Sequence, residues 1–156
     1  MTDPKIIDGK AIAETQRARI TAAVAVLKSE HDLTPGLAVV LVGEDPASQI
    51  YVRNKAKQTV ACGMQSMEHR LPADTDQKTL VDLVTSLNED PAVHGILVQL
   101  PLPDGIDSHA VLKAISVEKD ADGFHPLNVG NMWISGGDPP KAVACTPAGC
   151  AELLQR

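Results

Sequence analysis

The chain is poor in aromatic side chains: its 156 residues include one tryptophan, one tyrosine and one phenylalanine, at Trp133, Tyr51 and Phe124. The core must therefore be aliphatic. Because Tyr51 is the sole tyrosine, it is not simply one of many aromatic rings that pack the core. With 44% hydrophobic and 22% charged residues, the composition is typical of a globular protein and not of a disordered one. The length suits a single domain with one core.

Positive charge is also in short supply, since 14 Lys and Arg stand against 20 Asp and Glu, a net charge of -6. Nucleic-acid binding usually needs a dense basic face, so no nucleic-acid partner is expected. The longest apolar runs, such as residues 37–42, fall well short of the roughly 20 residues of a membrane helix. No apolar segment follows the charges at the N-terminus, as a signal peptide would require. We therefore expect a cytoplasmic protein with no membrane partner.

Cysteine is scarce and its spacing carries no metal signature. Cys62, Cys145 and Cys150 are odd in number and form no Cys-x-x-Cys pair, so neither a disulfide framework nor a zinc site is predicted. The acidic segment at 119–125 does not have the spacing of an EF-hand calcium loop either, because Gly123 comes too early and no late Glu follows. No metal is expected.

What the chain does have is an alternation of helical and strand patterns. Apolar positions and capping residues predict helices at about 10–30, from Asp45-Pro46 to a stop at Gly63, from Asp76, from Asp107 through Ile115, and from Cys145 onwards. Uniformly apolar or β-branched runs predict strands at 37–43, 64–71 and 93–99, and residues 119–141 are predicted to be a loop. This order predicts a three-layer α/β fold with a mainly parallel sheet flanked by helices.

Three polar residues near the carboxyl ends of predicted strands are candidates for chemistry. Tyr51 and Lys55 lie four apart on one helix, so their side chains share a face, although a lysine at that spacing is also common on a solvated helix. Gln99 ends a buried strand, where it either binds a ligand or simply marks the point at which the strand meets water. In open α/β sheets, ligands usually bind at this edge.

The loop at 119–125 holds two carboxylates and an imidazole. Asp122, which precedes Gly123, is either a turn former or an acceptor for the N–H groups of a ligand. His125, followed by Pro126, is interpreted as a hydrogen-bonding loop residue and not as a general base.

Four segments follow one another in this order: VGEDPASQIYVRNK at 42–55, GILVQLPLP at 95–103, KDADGFHPLN at 119–128 and CTPAG at 145–149. Together they resemble the bifunctional methylenetetrahydrofolate dehydrogenase/methenyltetrahydrofolate cyclohydrolase family. One departure is Ala144, where the family usually has proline. The resemblance implies oxidation of 5,10-methylenetetrahydrofolate by NADP and hydrolysis of the 5,10-methenyl product to 10-formyltetrahydrofolate, in one-carbon metabolism and purine biosynthesis.

The resemblance also implies roles for individual residues. Lys55 is the central catalytic residue, Tyr51 stacks on or aligns the folate ring, and Gln99 orients the lysine. Asp122 binds the nitrogen edge of the pterin. A lysine facing a cationic intermediate in a partly dry pocket has its charged form disfavoured by burial and by like charge, so a neutral Lys55 can act as a base. Further substrate contacts are implied for Val98, Leu100 and Pro101, and contacts on the cofactor side for Ser48, Cys145 and Thr146.

The resembled family has a second domain, a Rossmann fold for NADP, and this sequence has no G-x-G-x-x-G turn. We expect residues 1–145 to be the catalytic folate-binding domain and 146–156 to begin the helix leading to an NADP domain outside this chain. The resemblance further implies tetrahydrofolate derivatives as partners and a homodimer in the full-length protein. The alternative is a folate-binding or interaction module without turnover, and we expect the chain by itself to show weak activity or none.

A short-chain dehydrogenase, which also uses Tyr-x-x-x-Lys, is not favoured. Such enzymes carry a glycine-rich nucleotide loop near the N-terminus. Here Tyr51 comes too early in the chain for a nucleotide-binding fold to precede it.

Overall fold

A computed structural model describes residues 7–134 and 140–155 of the chain. In chain order its elements are α1 (Gly9–His31), β1 (Gly36–Val42), α2 (Pro46–Ala61), β2 (Gln65–Leu71), α3 (Gln77–Glu89), β3 (Gly95–Val98), α4 (Ser108–Ala114), a 3-10 turn (Val117–Lys119), α5 (Pro126–Trp133) and α6 (Cys145–Leu154). In these two ranges, no helix combines the length and the apolarity needed to cross a membrane.

Aspartate side chains begin four of the helices, as the capping pattern predicts. Asp45 accepts a hydrogen bond from the Ser48 N–H at 2.7 Å, with Pro46 in the first turn of α2. The other aspartate caps, at the starts of α1, α3 and α4, are Asp8, Asp76 and Asp107. Gly63 follows the end of α2 with a φ of 84°, a left-handed conformation that glycine adopts without strain.

The sheet has three parallel strands in the order β2-β1-β3. The central strand β1 is buried on both faces, and its alternate residues enter two separate cores. Val40 packs with α3 and α4 on one face, while Val39 packs with Val52 of α2 on the other. The predicted three-layer α/β fold with a parallel sheet is confirmed.

One predicted loop was wrong in part. Within the stretch 119–141, residues 126–133 form helix α5, and residues 135–139 lie outside the described part. The His125 Nδ1 atom accepts the Leu127 N–H at 3.1 Å and caps this helix, with Pro126 in its first turn. The glycine, asparagine and proline that suggested a loop are thus helix-starting and tolerated helix residues, because a side-chain cap and a first-turn proline both favour helix initiation.

The start of β1 is set by a close backbone approach at Gly36. A Cβ atom there would lie 2.1 Å from the Ala92 carbonyl oxygen, and the Gly36 N–H donates to Nδ1 of His94 at 3.0 Å. The segment before β3 can therefore cross the start of β1 only where no side chain intervenes.

We expect Gly36→Ala to lower the free energy of unfolding by about 1–3 kcal/mol, as overpacking does, in urea denaturation followed by circular dichroism. Gly130→Ala is the matched control, since a Cβ there meets nothing within 4 Å and alanine is the better helix former. It should leave stability unchanged or raise it. Equal stabilities for the two variants would contradict the steric account of Gly36.

Candidate active site

A groove of about 820 Å³ lies between α1, α2 and the sheet. Its walls are mostly aliphatic, and a few polar side chains project into it, which is the usual character of a small-molecule site. It is lined by Arg17, Ile20, Leu37, Tyr51, Lys55, Gln58, Thr59, Cys62, Met64, Leu97, Gln99, Leu100, Ala121, Asp122, Phe124, Cys145 and Thr146.

One face of α2 forms a wall of the groove. Four of its residues follow one another at intervals of three or four: Tyr51, Lys55, Thr59 and Cys62. Their side chains therefore lie along the same side of the helix. Tyr51 lines the groove and is 62% exposed. The shared face predicted for Tyr51 and Lys55 is present.

The Lys55 Nζ atom donates to the Gln99 Oε1 atom at 3.1 Å. Gln99 follows β3, and its backbone N–H continues the sheet by donating to the Val40 carbonyl at 2.8 Å. Its side-chain Nε2 donates to the Leu100 carbonyl at 2.7 Å. Because the amide nitrogen is held by a carbonyl, the amide oxygen faces the lysine.

Asp122 lines the same groove and is half-buried. Burial raises the pKa of its carboxyl above the ordinary 3.8, the positive charge of Lys55 opposes that rise, and the negative charge of Asp120 adds to it. No hydrogen bond from the described residues reaches this carboxylate. It is therefore a partly dehydrated acceptor that remains available to a ligand.

Asp120 forms the turn that the sequence assigned, as one alternative, to Asp122. Its carboxylate accepts the N–H groups of Gly123 at 3.1 Å, Phe124 at 3.3 Å and His125 at 2.8 Å. It also accepts Nδ2 of Asn128 at 2.9 Å. Asp120 is 4% exposed, and it orders the loop so that Asp122 projects into the groove. His125 is a hydrogen-bonding residue, as predicted.

The rim beyond this loop depends on Gly123, whose φ is 70°. A Cβ atom there would lie 2.5 Å from the carbonyl carbon of Val143. This close approach holds the start of α6 against the loop, so that Cys145 and Thr146 line the groove. Burial, and next the negative charge of Asp122, raise the pKa of the Cys145 thiol.

Three of the residues suggested for the site do not line the groove. Val98 belongs to the core between the sheet and α3, and Pro101 lies beyond Leu100 in an exposed turn. Ser48 is buried in the first turn of α2, where its N–H donates to Asp45. The other suggested residues, Tyr51, Lys55, Gln99, Leu100, Asp122, Cys145 and Thr146, come together here.

Sequence reasoning missed the contribution of α1. Arg17 and Ile20 line the groove opposite α2, but α1 exposes most of its length and buries only Val24 completely. Its pattern therefore does not reveal an inward face. Gln58, Thr59 and Cys62 were also missed, although counting on from Lys55 at helical spacing identifies them.

Comparison with known proteins identifies the family. Residues 7–122 match the family model described as the tetrahydrofolate dehydrogenase/cyclohydrolase catalytic domain. The chain belongs to this family. The bifunctional protein FolD of Paramagnetospirillum magneticum is 58% identical over 155 residues, which are 99% of this chain and 52% of that protein.

Solved structures of this family have the same fold. The bifunctional enzyme FolD from Campylobacter jejuni is 42% identical with a TM-score of 0.89, over 97% of this chain and 52% of that one. The Trypanosoma brucei methylenetetrahydrofolate dehydrogenase-cyclohydrolase, complexed with NADP cofactor and inhibitor, is 41% identical with a TM-score of 0.92, over 99% and 52%. The chain thus spans about half the length of the relatives it matches.

NADP use fits this family, but the described residues do not form a dinucleotide site by themselves. None of the turns from strand to helix among them is glycine-rich, and the β1–α2 turn has Gly43 alone. Phosphate binding in Rossmann domains depends on such a turn. Cys145 and Thr146, the residues suggested for the cofactor side, line the groove.

The two carboxylates of the loop should respond oppositely to amidation. Asp120→Asn replaces an acceptor of four N–H groups with an amide that presents its own N–H groups to them, so the free energy of unfolding should fall by about 2–3 kcal/mol. Asp122→Asn removes a carboxylate whose ionisation is disfavoured in the fold, so stability at pH 7 should be unchanged or higher.

The sign of the pH effect follows from the raised pKa of Asp122. The stability that the wild type gains from protonating Asp122 is complete at pH values below the ordinary pKa of 3.8. This stability is lost as the pH rises through the pKa of the folded state. Any advantage of Asp122→Asn in urea unfolding should therefore shrink as the pH is lowered from about 7 towards 4. An advantage that grows on acidification would show that the fold favours the ionised carboxylate.

Proposed function

We propose that this chain binds tetrahydrofolate derivatives in the groove and hydrolyses 5,10-methenyltetrahydrofolate to 10-formyltetrahydrofolate, with Lys55 as the catalytic base. The observation that carries the proposal is the 3.1 Å hydrogen bond from Lys55 to Gln99 within an aliphatic groove. A lysine held by a neutral amide keeps a defined position that does not depend on an ion pair. That suits a group that must act beside a cationic substrate.

The hydrolysis balances with the residues present. The oxygen of water attacks the one-carbon bridge, and one proton of that water passes to the neutral amine of Lys55, which gives a neutral tetrahedral adduct. The hydroxyl proton of the adduct then leaves, the carbonyl forms as the bond from the bridge carbon to N5 breaks, and N5 takes up a proton. One water is consumed and one proton is released, with no oxidation or reduction.

Asp122 and Tyr51 orient the substrate in this proposal. The half-buried carboxylate of Asp122 has lost part of its water, and it has no donor from the described residues to replace it. Two N–H groups of a pterin can supply the missing hydrogen bonds, and paired charge-assisted bonds also fix orientation. The exposed ring of Tyr51 offers a flat surface to the bound ring system.

We propose the dehydrogenase activity for the whole protein, in keeping with the names of its relatives. NADP accepts hydride in that reaction, and this chain contributes the folate-binding groove and the rim at Cys145 and Thr146. The division at residue 145 between the folate domain and a helix leading to an NADP domain remains part of the proposal. So do a homodimer, a cytoplasmic location and a role in purine biosynthesis.

A folate-binding module without turnover is the second candidate. The exposure of Tyr51 favours this second candidate, because it leaves the groove open to solvent. Catalysis of this kind usually needs bulk water to be excluded from the site. The same residues would then bind the ligand without hydrolysing it. The two candidates differ in turnover and not in the ligand.

Lys55→Met tests the catalytic assignment in the purified chain. Loss of a positioned base commonly costs about 10²- to 10⁴-fold in rate, so decay of the near-ultraviolet absorbance of methenyltetrahydrofolate should fall to the buffer rate. Binding, measured by calorimetry, should persist. Lys57→Met is the control, because Lys57 lies two residues further along α2 and is exposed outside the groove.

The outcomes separate the candidates. Decay that depends on Lys55 and not on Lys57 supports the hydrolase. Binding without decay in the wild-type chain supports the module. Decay that survives Lys55→Met at the wild-type rate would remove the lysine from the mechanism, and the absence of both binding and decay would overturn the groove as a folate site.

A further inference from the structure

The side chain of Asn128, in the first turn of α5, is polar but completely buried, with 0% of its surface exposed. Its Nδ2 atom donates to the Asp120 carboxylate at 2.9 Å and to the Val117 carbonyl oxygen at 3.3 Å. Its Oδ1 atom accepts the backbone N–H of Lys141 at 2.9 Å. One amide therefore joins α5 to the 3-10 turn, to the loop after that turn, and to the segment that leads to α6.

This set of contacts needs the chemistry of an amide. An amide supplies two N–H donors and an acceptor oxygen, whereas an ionised aspartate can only accept and a leucine can do neither. A buried polar group lowers stability unless its hydrogen bonds are made, and a fully bonded one favours a single arrangement of its partners. Asn128 thus determines where its partners lie relative to one another.

The partners of Asn128 lead to two sides of the groove. Asp120 orders the loop that carries Asp122, and Lys141 lies four residues before Cys145, where α6 begins. Burial, and next the charge of Asp122, raise the pKa of the Cys145 thiol, so these two side chains are close in space. A shift of either segment changes their separation.

We infer that Asn128 is a positioning residue, which holds the Asp122 carboxylate in a fixed place against the groove rim at Cys145. Asn128 does not line the groove, so it acts through Asp122 and not through contact with a ligand. The consequence for folate affinity rests on the proposed function. The ordering of the loop against the rim does not, and it can be measured without a ligand.

Asn128→Asp tests this assignment, because it keeps the shape of the side chain and the acceptor for Lys141 but removes both N–H donors. The ionised carboxylate lies beside that of Asp120 and repels it, whereas a protonated one can donate to it again. The defect should therefore be present at about pH 8 and relieved at about pH 6, since two close carboxylates retain a shared proton more strongly than one alone. Asn131→Asp is the matched control on α5, because no hydrogen bond between described residues involves the Asn131 side chain.

The first readout is the alkylation of Cys145 by iodoacetamide in the purified chain, followed by mass spectrometry with the exposed Cys150 as the internal reference. In Asn128→Asp at about pH 8, Cys145 should react roughly 3- to 10-fold faster than in the wild type, because its thiol is less buried and further from Asp122. The rate should approach the wild-type value at about pH 6, and Asn131→Asp should match the wild type throughout. Lys141→Pro, which removes the N–H that Asn128 accepts, should also raise the rate and replaces Asn128→Asp if that variant does not fold.

The second readout is the affinity for tetrahydrofolate, measured by calorimetry at about pH 8. Asn128→Asp should weaken binding about 10-fold, the size expected when a charge-assisted hydrogen bond is lost. The same substitution should make no further difference in an Asp122→Asn background, since the carboxylate through which it acts is then absent. A general loss of stability would weaken binding equally in both backgrounds.

The failure of this inference is distinct from that of the proposed function. Unchanged alkylation of Cys145 in both Asn128→Asp and Lys141→Pro would overturn the inference, whether or not the chain binds a folate. An equal loss of affinity in the two Asp122 backgrounds would overturn the action through Asp122. If alkylation changes as expected but the wild-type chain binds no tetrahydrofolate, the proposed function fails while the ordering of the loop by Asn128 is supported.

Discussion

The hydrogen bond between Lys55 and Gln99 is the contact on which the arrangement of the site depends. Its two partners come from different layers of the fold, since the lysine lies on α2 and the glutamine follows β3. Their separation is therefore set by the pairing of β3 with β1 and by the packing of Val52 against Val39. Anything that shifts α2 over the sheet changes this distance first. The geometry of this pair is thus a direct consequence of core packing.

In the loop after the 3-10 turn, two aspartates have different environments and therefore different roles. Asp120 is buried with four N–H donors, so its charge is satisfied within the protein and orders the loop. Asp122, two residues later, receives no such donors from the part of the chain that the structure describes, and burial makes its ionisation unfavourable. The first carboxylate stabilises the loop, while the second is kept at some cost to stability, which is common where a group is held ready for a ligand.

Most of the fold could be predicted from the sequence because local signals agreed with one another. The aspartate caps, the first-turn Pro46 and the uniformly apolar 37–42 run each predict the element that is present. α5 was missed because its cap is a histidine, which is not among the usual capping residues, and because the glycine and asparagines within it suggested a loop. The hydrogen bonds that order residues 120–128 are mostly local, from backbone N–H groups to the Asp120 carboxylate three to five residues earlier. The sequence offered Asp122 for such a turn, because either aspartate suits one.

Within the site, the sequence identified the residues that follow strands and missed those that meet them across the groove. Four site residues are marked by their positions in the sequence: Tyr51, Lys55, Gln99 and Asp122. Arg17 instead lies on α1, whose groove-facing side is defined only by tertiary packing. Its place in the groove follows from the packing of α1 beside α2, where the Cys62 thiol is 4.0 Å from the Arg17 carbonyl oxygen. No spacing of residues within α1 reveals that approach.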